Sequence, residues 1–115
     1  MTEGAESPRR TAPRGQQVFT LMVEVGRKPG DGLPEGSTGA GLLCYAAGVD
    51  EAEAVRETVA VLKAADLAVL EGQGLGTAAE RRAAGEEIGA EDEALMARAL
   101  AENAVIVALL TPFED

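Results

Sequence analysis

A chain of 115 residues amounts to one domain, and with aromatics at 3% of it the core must be built from Ala, Val, Leu and Ile. The formal net charge of −10 excludes polyanion binding as a general role, because nucleic acid and anionic membranes both demand a basic face; neither is expected as a partner. With no histidine and one cysteine, Ser/His/Asp and Cys/His catalysis, a zinc site and an intrachain disulfide are all excluded, and no metal or cofactor is expected.

Residues 1–15 are rich in Pro, Arg, Ser and Thr without apolar periodicity, which predicts a disordered tail ahead of a single domain over residues 16–115. The tail lacks the apolar stretch of a secretory signal, and no segment reaches the roughly 18 apolar residues of a membrane span, so a cytoplasmic protein is expected. From Gln16 the pattern alternates. Phe19, Leu21, Val23 and Val25 fall on one face of a strand, and Val18, Thr20, Met22 and Glu24 on the other. Residues 26–41 hold six glycines and two prolines and are predicted to form a long loop. "GLLCYAAGV" resumes a strand. Asp50 with Glu53 then predicts a capped helix whose stripe is Ala52, Val55, Val59 and Leu62.

"LAVLE" reads as a third strand, followed by Gly72, Gly74 and Gly76 at alternate positions. The first two fit the opening of a dinucleotide fingerprint, G-x-G-x-x-G, but Thr77 stands where the third glycine belongs, and no lysine completes a P-loop. The glycines are therefore expected to turn the chain from strand to helix, with Thr77 and Glu80 as a capping box. Phosphate binding at Gly74, Gly76 and Thr77 is the competing reading. A short helix runs through Ala84. A second starts near Ala90 with Glu91, Asp92 and Glu93 in its first turn, buries Leu95, Met96, Ala99 and Leu100, and ends at Asn103 as a left-handed cap. "AVIVALL" is the last strand, expected to stop at Pro112.

This order predicts an α+β fold, a sheet of about four strands with two main helices in ββαβαβ order. Residues 41–71, "GLLCYAAGVDEAEAVRETVAVLKAADLAVLE", resemble the strand–helix–strand half of ferredoxin-like and ACT-like modules. The resemblance implies a ferredoxin-like two-layer sandwich, from which the chain departs by having a Gly/Pro loop, not a helix, between its first two strands.

Each candidate for chemistry has a plainer counterpart. The pairs Arg27-Lys28 and Arg81-Arg82 are expected to be solvated surface charges, the acidic run from Glu86 to Glu93 a dipole-favoured helix start, Cys44 a small core residue, and Tyr45 a half-buried packing residue. Read functionally, Arg27, Lys28 and Asp31 would contact a polar metabolite with Tyr45 behind them. The strands "LAVL" and "AVIVALL" are apolar on both faces. Either the helices cover both sides of the sheet or a second subunit does, and a homo-oligomer is expected, a dimer by default and a trimer as the alternative. Two functions follow: a non-enzymatic module binding a small molecule or a protein, and a small oligomeric enzyme working at a subunit interface. The first is the expected one.

Overall fold

A computed structural model describes residues 15–114, and the tail expected over residues 1–15 lies outside them apart from Gly15. Strands β1 (Gln17–Val25), β2 (Gly39–Gly48), β3 (Val69–Thr77) and β4 (Val105–Phe113) make one antiparallel sheet in the order β3-β1-β2-β4. Helix α1 (Glu51–Ala64) joins β2 to β3, while α2 (Ala78–Ala83) and α3 (Ala90–Glu102) join β3 to β4. Among the described residues the fold is thus α+β, a four-stranded antiparallel sheet with three helices.

Alternation along the strands sends side chains to two separate cores. Phe19, Leu21, Val23 and Val25 pack with Cys44 and Ala46 against Ala54 and Leu62 of α1. On the opposite face Val18, Tyr45, Ile106 and Ala108 pack beneath Met96 and Ala99 of α3. The helices therefore lie on both faces of the sheet, which corrects the single helical layer of the expected two-layer sandwich. Cover is unequal. Helix α3 sits over the Val18 and Thr20 end of β1, and Met22 and Glu24 further along the same face are exposed.

The caps form as the sequence predicts. Asp50 Oδ1 accepts from Glu53 N at 2.8 Å, Thr77 and Glu80 make a reciprocal capping box, and Asn103 ends α3 at φ 51°. The buried stripe of α1 is Ala54, Thr58 and Leu62, with Val55 and Val59 half-buried and Ala52 exposed. Counting apolar residues alone skips Thr58, whose hydroxyl is satisfied by the Ala54 carbonyl at 2.8 Å and so enters the core without penalty.

Two strand boundaries need correction. β3 does not stop before the glycines but runs through them to Thr77, with Gly72 opposite Val23 and Gly74 opposite Leu21. These two glycines face α1. A Cβ at Gly72 would touch Val55 and Val59 at 3.6 and 3.7 Å, and one at Gly74 would run into the Glu51 carboxylate. At Gly74 the missing side chain leaves room for Glu51 of α1 against this edge strand. Gly76, at φ +94°, follows a register shift between Thr20 and Leu21, where a β-bulge leaves Leu75 without a partner. Gly72→Ala makes only ordinary contacts and lowers unfolded-chain entropy, so it is expected to leave stability unchanged or raise it by up to about 1 kcal/mol. A fall in the urea midpoint would show that α1 leaves no room for a Cβ at Gly72. The second boundary is in β4, which continues past "AVIVALL" through Pro112, opposite Ala40. An edge strand tolerates proline because its outer N–H need not bond.

Candidate functional site

The loop between β1 and β2, residues 26–38, is ordered by its own charged residues. Asp31 accepts from Leu33 N (3.0 Å), Arg27 Nε (3.0 Å) and Lys28 N (2.8 Å). The Leu33 amide, then the Arg27 guanidinium and the Lys28 amide, hold its pKa down to about 2. Arg27 also donates to the Ser37 carbonyl (2.6 Å), Ser37 Oγ (3.1 Å) and the Pro34 carbonyl (3.2 Å). Lys28 Nζ stands 3.9 Å from Asp66. Arg27 and Asp31 thus serve the loop itself. A carboxyl with a depressed folded-state pKa stabilises above its unfolded value and loses that effect as pH falls through the folded value. The loop is therefore expected to stay ordered at neutral pH and to loosen only as pH falls from about 4 towards 2. Amide exchange along residues 28–37 reads this, and Asp31→Asn should abolish the acid step; loosening already at pH 6 would contradict it.

A second polar cluster lies at the other end of the sheet. Tyr45, 1% exposed, donates its hydroxyl to Asp92 Oδ1 at 2.7 Å. Burial and then the Asp92 hydrogen bond push the Tyr45 pKa up, which keeps the phenol protonated as a donor. Arg81 donates to Thr20 Oγ1 at 3.0 Å and pairs with Glu86 at 2.9 Å, its side chain 15% exposed. Arg82 pairs with Glu93. The reading of Arg81 as a solvated charge is corrected: it pins α2 to the sheet. Asp92 stands in the first turn of α3, as the sequence predicts, and also accepts from the Tyr45 hydroxyl. Tyr45 is fully buried rather than half-buried. Cys44 is buried beside it in sequence but faces α1, and burial pushes its thiol up to about 11.

Between these clusters lies the bare half of the α3 face. Met22, Glu24, Gly41, Leu43, Leu109 and Phe113 line a groove of about 290 Å³. Gly41 makes the room: a Cβ there would meet the Phe113 ring at 3.4 Å and Met22 Sδ at 3.8 Å. Met22, Leu109 and Phe113 are 40%, 58% and 38% exposed, and Glu71 and Gln73 of β3 border the same face. A polar cleft of about 470 Å³ opens elsewhere, between α1 and the start of β4, lined by Gln16, Glu53, Glu57 and Asn103 among others.

The residues named from sequence are not gathered in one place. Arg27, Lys28 and Asp31 sit in the loop beyond Val25, whereas Tyr45 pairs with Thr20, five residues back along β1. Gly74 lies under α1, and Gly76 N donates to Glu51 Oε2 at 3.1 Å. Thr77 Oγ1 accepts from Glu80 N at 3.2 Å. The groove was missed because Leu43, Leu109 and Phe113 come together only through the β2–β4 register. The exposed Met22 opposite buried Leu21 and Val23 was its one local sign. Among the described residues no cluster of three His, Cys, Asp or Glu side chains is placed to hold a metal, and no helix is long and apolar enough to cross a membrane.

Fold and site together define a small acidic α+β domain with one half-bare sheet face. The chain belongs to the family described as a domain of unknown function, DUF8846, whose family model matches residues 18–114. No curated protein and no solved structure matches it.

Proposed function

We propose that this chain is a non-enzymatic, homo-oligomeric binding module of the cytoplasm. The observation that carries the reading is the bare half of the α3 face, where Met22, Leu109 and Phe113 are exposed around an apolar groove. A contiguous apolar patch of this kind marks an interaction surface. The resemblance of residues 41–71 to the strand–helix–strand half of ferredoxin-like and ACT-like modules supports a binding role. The employment of Arg27 and Asp31 within the loop and the burial of Tyr45 support it too, because neither set of groups is left free for a substrate.

Linkage supplies the test. Subunits that associate only when folded raise the unfolding midpoint as protein concentration rises. Thermal unfolding over a wide concentration range should show that rise. A midpoint independent of concentration would overturn the oligomeric reading.

A further inference from the structure

We infer that the bare half of the α3 face binds a basic, apolar segment of a partner protein, with a Lys or Arg side chain seated between Glu24 and Glu71 and a large apolar side chain in the groove beside them. The inference rests on the reading of this face as an interaction surface and names its partner.

The two carboxylates stand directly opposite one another. Glu24 of β1 pairs with Glu71 of β3, so both side chains leave the sheet on one face, and both are exposed. Directly opposed residues have Cβ atoms about 4.5–5.5 Å apart, and like charges so placed destabilise a strand pair. Among the described residues no Lys or Arg pairs with either one; the ion pairs run to Asp31, Asp66, Glu86, Glu93 and Glu102. Arg81 reaches the same face at Thr20 but is already paired with Glu86. One ammonium or guanidinium set between Glu24 and Glu71 would meet both and replace repulsion by charge-assisted hydrogen bonds.

The apolar half of the site follows from the register. Glu24 lies opposite Gly41 and Met22 opposite Leu43 on β2, and these lie opposite Thr111 and Leu109 on β4. The face therefore changes across the sheet, from carboxylates on β3 and β1 to Leu43, Leu109 and Phe113 on β2 and β4. Glu24 itself lines the apolar groove. With strands about 4.8 Å apart, the point between Glu24 and Glu71 is about 12 Å from β4, which sets the spacing of cation and apolar group in the partner.

Charge and chemistry exclude the nearer occupants. A second copy brings the same carboxylates and a net charge of −10, so groove against groove opposes like charges. Residues 1–14 of the chain itself carry Arg9, Arg10 and Arg14 but no Leu, Ile, Val or Phe to fill the groove. A small inorganic cation would leave the apolar half uncovered. A segment on a groove of about 290 Å³ makes a contact smaller than a standard interface, which is the transient class. The exposed Val107 and Leu110, opposite Cys44 and Leu42 on the α1 side, remain for contacts between copies.

Random peptides displayed on phage and selected on the full chain are the probe. Retained peptides should combine Lys or Arg with Leu, Ile, Phe or Met. The leading peptide, followed by fluorescence anisotropy, should bind about tenfold more weakly to the double variant Glu24→Gln with Glu71→Gln, and more weakly still as salt rises. Leu109→Ser should weaken it too. Glu57→Gln with Glu87→Gln removes the same charge elsewhere on the surface and should leave binding unchanged. Glu71→Gln should also raise the urea midpoint of the free chain, since it relieves the repulsion. Peptides without basic residues, or equal binding by the Glu24→Gln, Glu71→Gln variant, would overturn the inference; loss of binding in Leu109→Ser would then leave the face standing as an interaction surface. Failure to retain any peptide would overturn the inference, and an unfolding midpoint independent of concentration would overturn the oligomeric reading separately.

Discussion

Tyr45→Ala is expected to lower stability by about 3–5 kcal/mol, the range for deleting a buried aromatic side chain. Tyr45 is 1% exposed at the centre of the second core, with Met96 and Ala99 of α3 and Val18 and Ile106 of the sheet around it. Its hydroxyl is bonded to Asp92 in the first turn of α3, so truncation also leaves Asp92 without its donor. Tyr45→Phe keeps the ring and loses only that hydrogen bond, and should cost about 1 kcal/mol. Urea unfolding separates the two. A near-neutral Tyr45→Ala would mean that α3 is not held to the sheet through this residue.

Gly39→Ala is the second large effect, about 3 kcal/mol or more, because backbone strain and steric overlap act together. Gly39 opens β2 at φ +158°, and a Cβ there would overlap the Val25 carbonyl oxygen, a backbone atom of the neighbouring strand that cannot swing aside. The strand pair β1–β2 would have to separate where the loop closes. Gly36→Ala is the control. At φ +89° with open space around it, it meets strain without collision and should cost only about 1 kcal/mol. Equal losses at the two positions would show that collision with Val25 plays no part.

Local signals carried much of the fold. The alternation of β1, the caps at Asp50 and Thr77, and the left-handed Asn103 each depend on residues within a turn of one another, and each is where sequence placed it. Errors arose where a distant neighbour decides. Gly72 and Gly74 read as a turn by themselves, yet they are strand residues paired with Val23 and Leu21 of β1, far back in the chain, and packed against Val55, Val59 and Glu51 of α1. Arg81 reads as a surface charge until Thr20, 61 positions away, is seen to accept from it. The apolar two-sidedness of the last strand was legible, but not that α3 would shield Ile106 and Ala108 while leaving Leu109 and Phe113 bare. Of the residues singled out for chemistry, Arg27 and Asp31 were correctly placed together on the loop, but their mutual use could not be read from composition.

The mass in solution, measured by light scattering at micromolar concentration in low and in high salt, tests assembly most directly. The expected result is twice the 11.8 kDa chain mass, with the dimer fraction rising as salt screens the repulsion between acidic copies. A mass of 11.8 kDa in both conditions would contradict it, and the bare half of the sheet would then face water in the working protein.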